Sequence, residues 1–287
     1  MSLSLLHAAV AFVATAPKTI PFVSLGTGSG MRHEGVDVAN ATALWIAAGG
    51  KGIDTAYIYQ DQTKIAQGIA AAGVDPSSLW LTTKIPCSST AAAKKNIEAD
   101  LQQLGVDSVD LILQHFPEES HFGCAGGSTA DTWKALEAAL AAGQTRQIGV
   151  SNFGQRHLSE LLEYATVLPA VDQVEIHPYN QRASLQELVR SKGIRFEAYS
   201  PLGKGRIGLL EDPVLTSIAK AKNKSVAAVI LRWLLQRGIT PIPLSRNERR
   251  LKENLEVYDF DLTEEEMRAI AKLDRGQFVI MDDEKLA

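Results

Sequence analysis

Val109-Asp110-Leu111-Ile112-Leu113-Gln114-His115 and Gln147-Ile148-Gly149-Val150-Ser151-Asn152 are two short β-rich runs, and Ala130–Ala142 between them has the spacing of an amphipathic helix. Strand, helix and strand in this order make a parallel βαβ unit. The alternation continues outward in both directions. Upstream, Phe22–Gly26 reads as a strand before a helix over Val38–Ala48, Gly52–Ala56 before Thr63–Ala72, and Leu79–Ile85 before Ala91–Leu104. Downstream, the second quoted run precedes Arg156–Tyr164, Ala170–Ile176 precedes Leu185–Ser191, and Ile194–Tyr199 precedes helices over Pro213–Asn223 and Val226–Arg237. Ile239–Leu244 then leads to Asn247–Tyr258, and Thr263–Leu273 is an additional helix. No linker or low-complexity stretch divides the chain. Eight strands, each followed by helix, predict one α/β domain over residues 1–287, a (β/α)8 TIM barrel with an N-terminal β-hairpin and extra C-terminal helices.

Boundary residues support these elements. Gly73, Gly105, Gly143, Gly193 and Gly238 each stand where a helix should end before the next strand. Thr263 and Glu266 have the spacing of a capping box. At 287 residues with 45% apolar composition, the chain can bury a large core without a metal or disulfide staple. A net charge of −4 without long basic runs speaks against nucleic acid as a partner. The two cysteines, Cys87 and Cys124, fit reduced thiols in a reducing compartment, with a regulatory disulfide on the expected catalytic face as the lesser alternative. Leu3 to Ala16 is almost entirely apolar and ends in Ala14-Thr15-Ala16, as a secretory segment does, but no Lys or Arg precedes it. The preferred reading is a hairpin of Val10–Val13 with Thr19–Phe22 around Pro17-Lys18. No later segment approaches the ~20 apolar residues of a membrane span.

A barrel carries its chemistry at the C-terminal ends of its strands. Polar groups expected there are Asp54 and Tyr59 after the second strand, Lys84 at the third, His115 at the fourth and Ser151-Asn152 at the fifth. Gln173 to His177 follow at the sixth, Tyr199-Ser200 at the seventh and Leu244-Ser245 at the eighth. No Cys/His cluster has metal-ligand spacing, so no metal is expected. Gly26-Thr27-Gly28-Ser29-Gly30 misses the G-x-G-x-x-G spacing of a dinucleotide loop, and a barrel rim accounts for its glycines.

Gly52-Ile53-Asp54-Thr55-Ala56-Tyr57-Ile58-Tyr59 resembles the D-T-A-x-x-Y block of the aldo-keto reductases. Thr83-Lys84, Asp110 through Pro117, Ile148 through Phe153, Gln173 through Pro178 and Tyr199 through Gly203 agree with further blocks of that family in the same order. Ile242-Pro243 through Arg250 to Glu253-Asn254 resembles its cofactor clamp. The resemblance spans about Ile20 to Leu273 and implies a monomeric oxidoreductase that reduces a small carbonyl substrate with NADP(H). It implies Tyr59 as proton donor, Lys84 beside it lowering the phenol's pKa, Asp54 holding Lys84, and His115 binding the substrate oxygen. Tyr57 is the competing tyrosine, and the block's spacing selects Tyr59. For the cofactor it implies Gly26, Thr27 and Asp54 at the rim, and Ser151, Asn152 and Gln173 on the carboxamide. Tyr199 would stack on the ring, with Ser200, Leu202 and Gly203 along the pyrophosphate. Ser245, Asn247 and Arg250 would take the 2′-phosphate, with Glu253 and Asn254 near the adenine. His177 reads as structural.

Three positions depart from the family. Leu244 stands where a Lys is usual, so Arg246 is expected to supply the missing cation and NAD(H) becomes an alternative cofactor. Gly28 and Phe116 stand where Trp is frequent, and with Ile58 they would line an open substrate pocket. Three rival functions compete, and one of them, a phosphate-binding isomerase barrel, would not need the Arg250–Asn254 segment. A short-chain dehydrogenase would need Tyr-x-x-x-Lys, which none of the six tyrosines provides. A non-catalytic or regulatory NADP(H)-binding protein on the same scaffold is the alternative, against which the full Asp54, Tyr59, Lys84 and His115 set argues.

Overall fold

The computed structural model describes residues 23–28, 37–118, 120 and 122–285. Eight parallel strands follow one another around a single sheet in chain order: β1 (Ser24–Gly26), β2 (Gly52–Asp54), β3 (Trp80–Ile85), β4 (Val109–Gln114), β5 (Thr145–Ser151), β6 (Val171–Glu175), β7 (Arg195–Tyr199) and β8 (Thr240–Ile242). The Gly26 N–H donates to the Pro243 carbonyl at 3.1 Å, which brings β8 back against β1 and closes the barrel. Approach is close there, since a Cβ on Gly26 would stand 3.0 Å from Ile242 Cγ2.

The helices pack outside: α1 (Val38–Ala47), α2 (Gln62–Ala71), α3 (Thr90–Leu104), α4 (Thr129–Ala141), α5 (Gln155–Tyr164) and α6 (Ala183–Ser191) each follow one strand. Two helices, α7 (Pro213–Lys222) and α8 (Val226–Gln236), follow β7; α9 (Glu248–Glu253) follows β8, and α10 (Glu264–Ala271) is the additional C-terminal helix. Ser89, Ser128 and Ser225 cap α3, α4 and α8 by accepting from N–H groups three residues on, each worth about 1 kcal/mol. The capping box of Thr263 and Glu266 is formed, and the five boundary glycines all have positive φ, between 67° and 73°. The expected hairpin lies outside the described residues.

Two apolar layers result. The larger fills the space between barrel and helices and includes Trp45, Trp133, Trp233, Phe153 and Ile112. The smaller, Trp80, Leu111, Leu113 and Val171, forms a cluster of its own. Strands flanked by such layers are apolar on both faces, as the run through Leu111-Ile112-Leu113 requires.

One expected helix is much shorter than predicted. Asn247–Tyr258 is helical only over Glu248–Glu253. Beyond it the chain is drawn back toward α7 and α8, where Val257 is buried, Lys224 pairs with Asp259 and Arg232 with Asp261. Among the described residues, no helix is long and apolar enough to cross a membrane.

Candidate active site

Buried polar side chains from four strands meet around Asp54. Its Oδ1 accepts from Lys84 Nζ at 2.5 Å and its Oδ2 from Gln173 Nε2 at 2.8 Å. Lys84 Nζ also donates to the Thr55 carbonyl at 2.9 Å. The same Gln173 nitrogen donates to Glu197 Oε2 at 2.9 Å. Asp54 ends β2, Lys84 lies on β3, and Gln173 and Glu197 are register partners on β6 and β7.

Tyr59 reaches this group from a single 3₁₀ turn, Tyr57–Tyr59, that follows β2. Gln62 braces the turn by donating to the Ala56 carbonyl at 2.9 Å, and Gln60 leaves it in the left-handed region at φ 53°. Lys84 Nζ is 5.2 Å from the centre of the Tyr59 ring, and the His115 ring meets that ring edge-on at 5.6 Å. The four expected catalytic residues are therefore together.

Their electrostatics differ in one respect from expectation. The Tyr59 phenol lies above its ordinary value, because burial outweighs the charge and hydrogen bonding of Lys84, with Asp54 and Asp61 adding to the rise. Lys84 pulls it down, as expected, but does not prevail. At neutral pH Tyr59 keeps its proton. His115 is held well below the usual imidazole value by burial and then by Lys84, so it is neutral, with one ring nitrogen a donor and the other an acceptor. Burial lowers Lys84, but Asp54, Tyr59 and Glu197 reverse this and leave it above its ordinary value.

The expected cofactor residues form two groups. Ser151 Oγ donates to the Gln173 carbonyl at 2.9 Å. Asn152, at φ 62°, donates to the His115 carbonyl at 2.8 Å and accepts from the Tyr199 hydroxyl at 2.7 Å. Thr27 donates to the Asp54 carbonyl through both N–H and hydroxyl, so Gly26, Thr27 and Asp54 share one rim. Beyond β7, Ser200 and Gly203 have positive φ, half-buried Leu202 lies between them, and a Cβ on Gly203 would crowd Ile207 at 2.8 Å.

The second group surrounds α9. Ser245 and Asn254 are buried, while Leu244, Arg246, Asn247 and Arg250 are exposed. Asn247 caps the helix by accepting from Arg250 N–H at 3.1 Å, and Glu253 pairs with Arg249. Of the expected pocket residues, Ile58 is exposed and Gly28 borders open space. Phe116 stacks on His115 at 4.4 Å. His177 is buried against Glu175 at 3.0 Å.

Sequence reading missed three features. The loop after β4 brings exposed Phe122 onto half-buried Phe116 at 4.4 Å, so the wall expected to lack aromatic bulk carries a second ring. Cys87 and Cys124, expected as free thiols, are joined in a disulfide. The Ala125 N–H donates to the Cys87 carbonyl and the Ser89 N–H to the Ala125 carbonyl, which pairs the β3 and β4 loops and brings two cysteines 37 residues apart to a Cα separation of 4.6 Å. Glu197 is the third, and an acidic residue between apolar Phe196 and Ala198 was its only signal.

The model of the Aldo/keto reductase family matches residues 23–275. A 9,11-endoperoxide prostaglandin H2 reductase of Trypanosoma cruzi is 41% identical over 266 residues, 92% of each chain. A glyoxal reductase of Bacillus subtilis is 39% identical over 259 residues, covering 88% of this chain and 90% of its own. The crystal structure of a Bombyx mori aldo-keto reductase in complex with NADP aligns with a TM-score of 0.85 at 34% identity, covering 93% of both chains.

Proposed function

The chain belongs to the aldo/keto reductase family, and on that premise we propose that it reduces aldehydes or ketones to alcohols with NADP(H), with Tyr59 as the general acid. The observation that carries this reading is the contact of a protonated phenol with a buried ammonium and a neutral imidazole at one barrel mouth.

NADP(H), when bound, supplies the hydride. Gln173 suits its carboxamide, because both amide protons of Gln173 are taken by carboxylates and only Oε1 is left to accept. Ser151, Asn152 and Tyr199 complete that end, and Ser200, Leu202 and Gly203 border the pyrophosphate. Ser245, Arg246, Asn247 and Arg250 offer the 2′-phosphate two guanidinium groups and polar donors, with Glu253 and Asn254 toward the adenine. A phosphate matches these exposed cations better than a bare ribose does, which favours NADP(H) over NAD(H).

The residues of the chain then handle one proton and one developing charge. His115 donates a hydrogen bond to the carbonyl oxygen and orients it. Tyr59 gives its proton to the same oxygen. Lys84 stabilises the phenolate left behind, and Asp54 keeps Lys84 charged and aimed. Phe116 and Phe122 give the pocket one aromatic wall, while the side of Gly28 and Ile58 stays open to bulky carbonyl compounds.

The test is NADPH consumption with a reactive aromatic aldehyde, wild type against Tyr59→Phe. Turnover should fall at least ~100-fold while NADPH binding is kept. Full activity in Tyr59→Phe would remove Tyr59 as the acid. An inert wild type that still binds NADPH would favour a regulatory role.

A further inference from the structure

Glu197 has no part in the chemistry described so far, yet it sits among the groups that perform it. It lies in the middle of β7 and is 2% exposed. Its Oε2 takes one proton of the Gln173 amide at 2.9 Å, and Asp54 Oδ2 takes the other at 2.8 Å. The terminal torsion of a glutamine is broad and roughly two-fold, so an amide held at one proton can turn over. Held at both by acceptors, it has one face left, the oxygen. A buried carboxylate costs several kcal/mol unless it is paired, and a threonine or methionine would fill the same space without that cost.

We propose that Glu197 is a positioning residue for the reduction: it locks the Gln173 amide so that Oε1 alone faces the nicotinamide carboxamide and accepts a hydrogen bond from its NH2 group. The inference rests on the reading of the site as an NADP(H) site and deepens it. Asp54 supplies the other half of the lock, but it is also tied to Lys84; Glu197 is the half whose removal leaves the Lys84–Asp54 pair in place.

The charge of Glu197 belongs to the same network. Burial raises its carboxyl to about 7, Asp54 adds to the rise, and Gln173, Lys84 and Arg195 oppose it. The charged groups acting on it are thus Asp54 from β2, Lys84 from β3 and Arg195 on its own strand. Its ionisation near neutrality adds a negative charge beside Asp54 and strengthens the hold on Lys84.

The test compares calorimetric binding of NADP⁺ with that of its 3-acetylpyridine analogue, whose methyl group replaces the NH2. One hydrogen bond predicts about 3- to 10-fold weaker binding of the analogue by the wild type. Glu197→Gln still offers an acceptor oxygen to Gln173 and should keep that ratio. Glu197→Ala and Glu197→Met, the second matched in length, should bring it below about 2-fold. A folded Ala or Met variant that keeps the wild-type ratio overturns the proposal. Equal binding of both dinucleotides by the wild type also overturns it and leaves the proposed reduction intact. Failure of the wild type to bind either one refutes the NADP(H) reading itself. Alongside this, a step near pH 7 in kcat/KM for aldehyde reduction should be present in the wild type and absent in Glu197→Gln; the same step in both would assign that titration to another group.

Discussion

Lys84 and Asp54 meet at 2.5 Å with their side chains 1% and 6% exposed, so the ammonium has exchanged water for one carboxylate oxygen and the Thr55 carbonyl. Such a pair owes its value to completeness, since removing one partner strands a charge in the interior. Asp54→Asn should cost about 3 kcal/mol or more, read by urea denaturation. The sign with pH follows from the raised Lys84. The contribution is fully present below the ordinary lysine value of about 10.4 and is lost as pH rises through the higher folded value. Destabilisation below about 1 kcal/mol would mean that water reaches Lys84 in solution.

A second buried acid predicts an unusual response to mild acid. Asp100 on α3 accepts from Thr83 on β3 and from Gln62 on α2, the latter at 2.8 Å. Burial raises it from 3.8 to about 7 against those hydrogen bonds, and Asp61 adds to the rise. The folded state therefore binds the proton more tightly than the unfolded state, and stability falls as pH climbs from about 4 to 7. The upper bound is about 4 kcal/mol, at about 1.4 kcal/mol for each pH unit. Asp100→Asn mimics the protonated acid, so it should match the wild type at or below about pH 4 and exceed it by a growing margin up to about pH 7, which then persists at pH 8. Equal pH slopes for the two proteins in thermal melts would show that Asp100 does not carry the effect.

The disulfide joins the loop that follows Lys84 to the loop that follows His115. Closing 37 residues restricts the unfolded chain by up to about 4 kcal/mol in the chain-entropy account. Non-reduced, denatured protein should give no titratable thiol, and reduced protein two. Cys124→Ser should lower the melting temperature. Because Phe122 stands two residues before Cys124, the variant should also raise KM for aromatic aldehydes more than it lowers kcat. Two thiols in the untreated protein would mean that the bond does not form.

What could be read in advance divides by range. The strand through Leu111-Ile112-Leu113 and the capping box of Thr263 and Glu266 are fixed by neighbours a few residues away, and each formed where the local pattern put it. The α9 helix stopped early because Asp259 and Asp261 answer to Lys224 and Arg232, partners that no local pattern names. Asp54, Tyr59, Lys84 and His115 were legible because strand ends in a barrel converge and the resemblance to the aldo-keto reductases singled them out among the polar groups there. Glu197 was not, since its meaning depends on which amide lies opposite it across β6. The cysteines were misjudged for the same reason: composition describes a compartment, whereas pairing depends on two loops lying side by side.

Leu244 is 42% exposed and directly precedes buried Ser245 at the start of the segment that carries Arg246, Asn247 and Arg250. An apolar side chain there adds nothing to a phosphate, so the proposed preference for NADPH has to rest on the existing cations. Leu244→Lys places one more ammonium at this rim and should tighten NADPH binding about 3- to 5-fold, roughly what one solvent-exposed charge pair contributes, without changing NADH binding. Arg246→Ala should weaken NADPH by a similar factor. Both effects should shrink between about 0.01 and 1 M salt, where the screening length falls from about 30 to 3 Å. If Leu244→Lys strengthens NADH and NADPH alike, residue 244 faces the pyrophosphate or adenine instead of the 2′-phosphate. If Arg246→Ala leaves NADPH affinity unchanged, Arg250 carries that role without it.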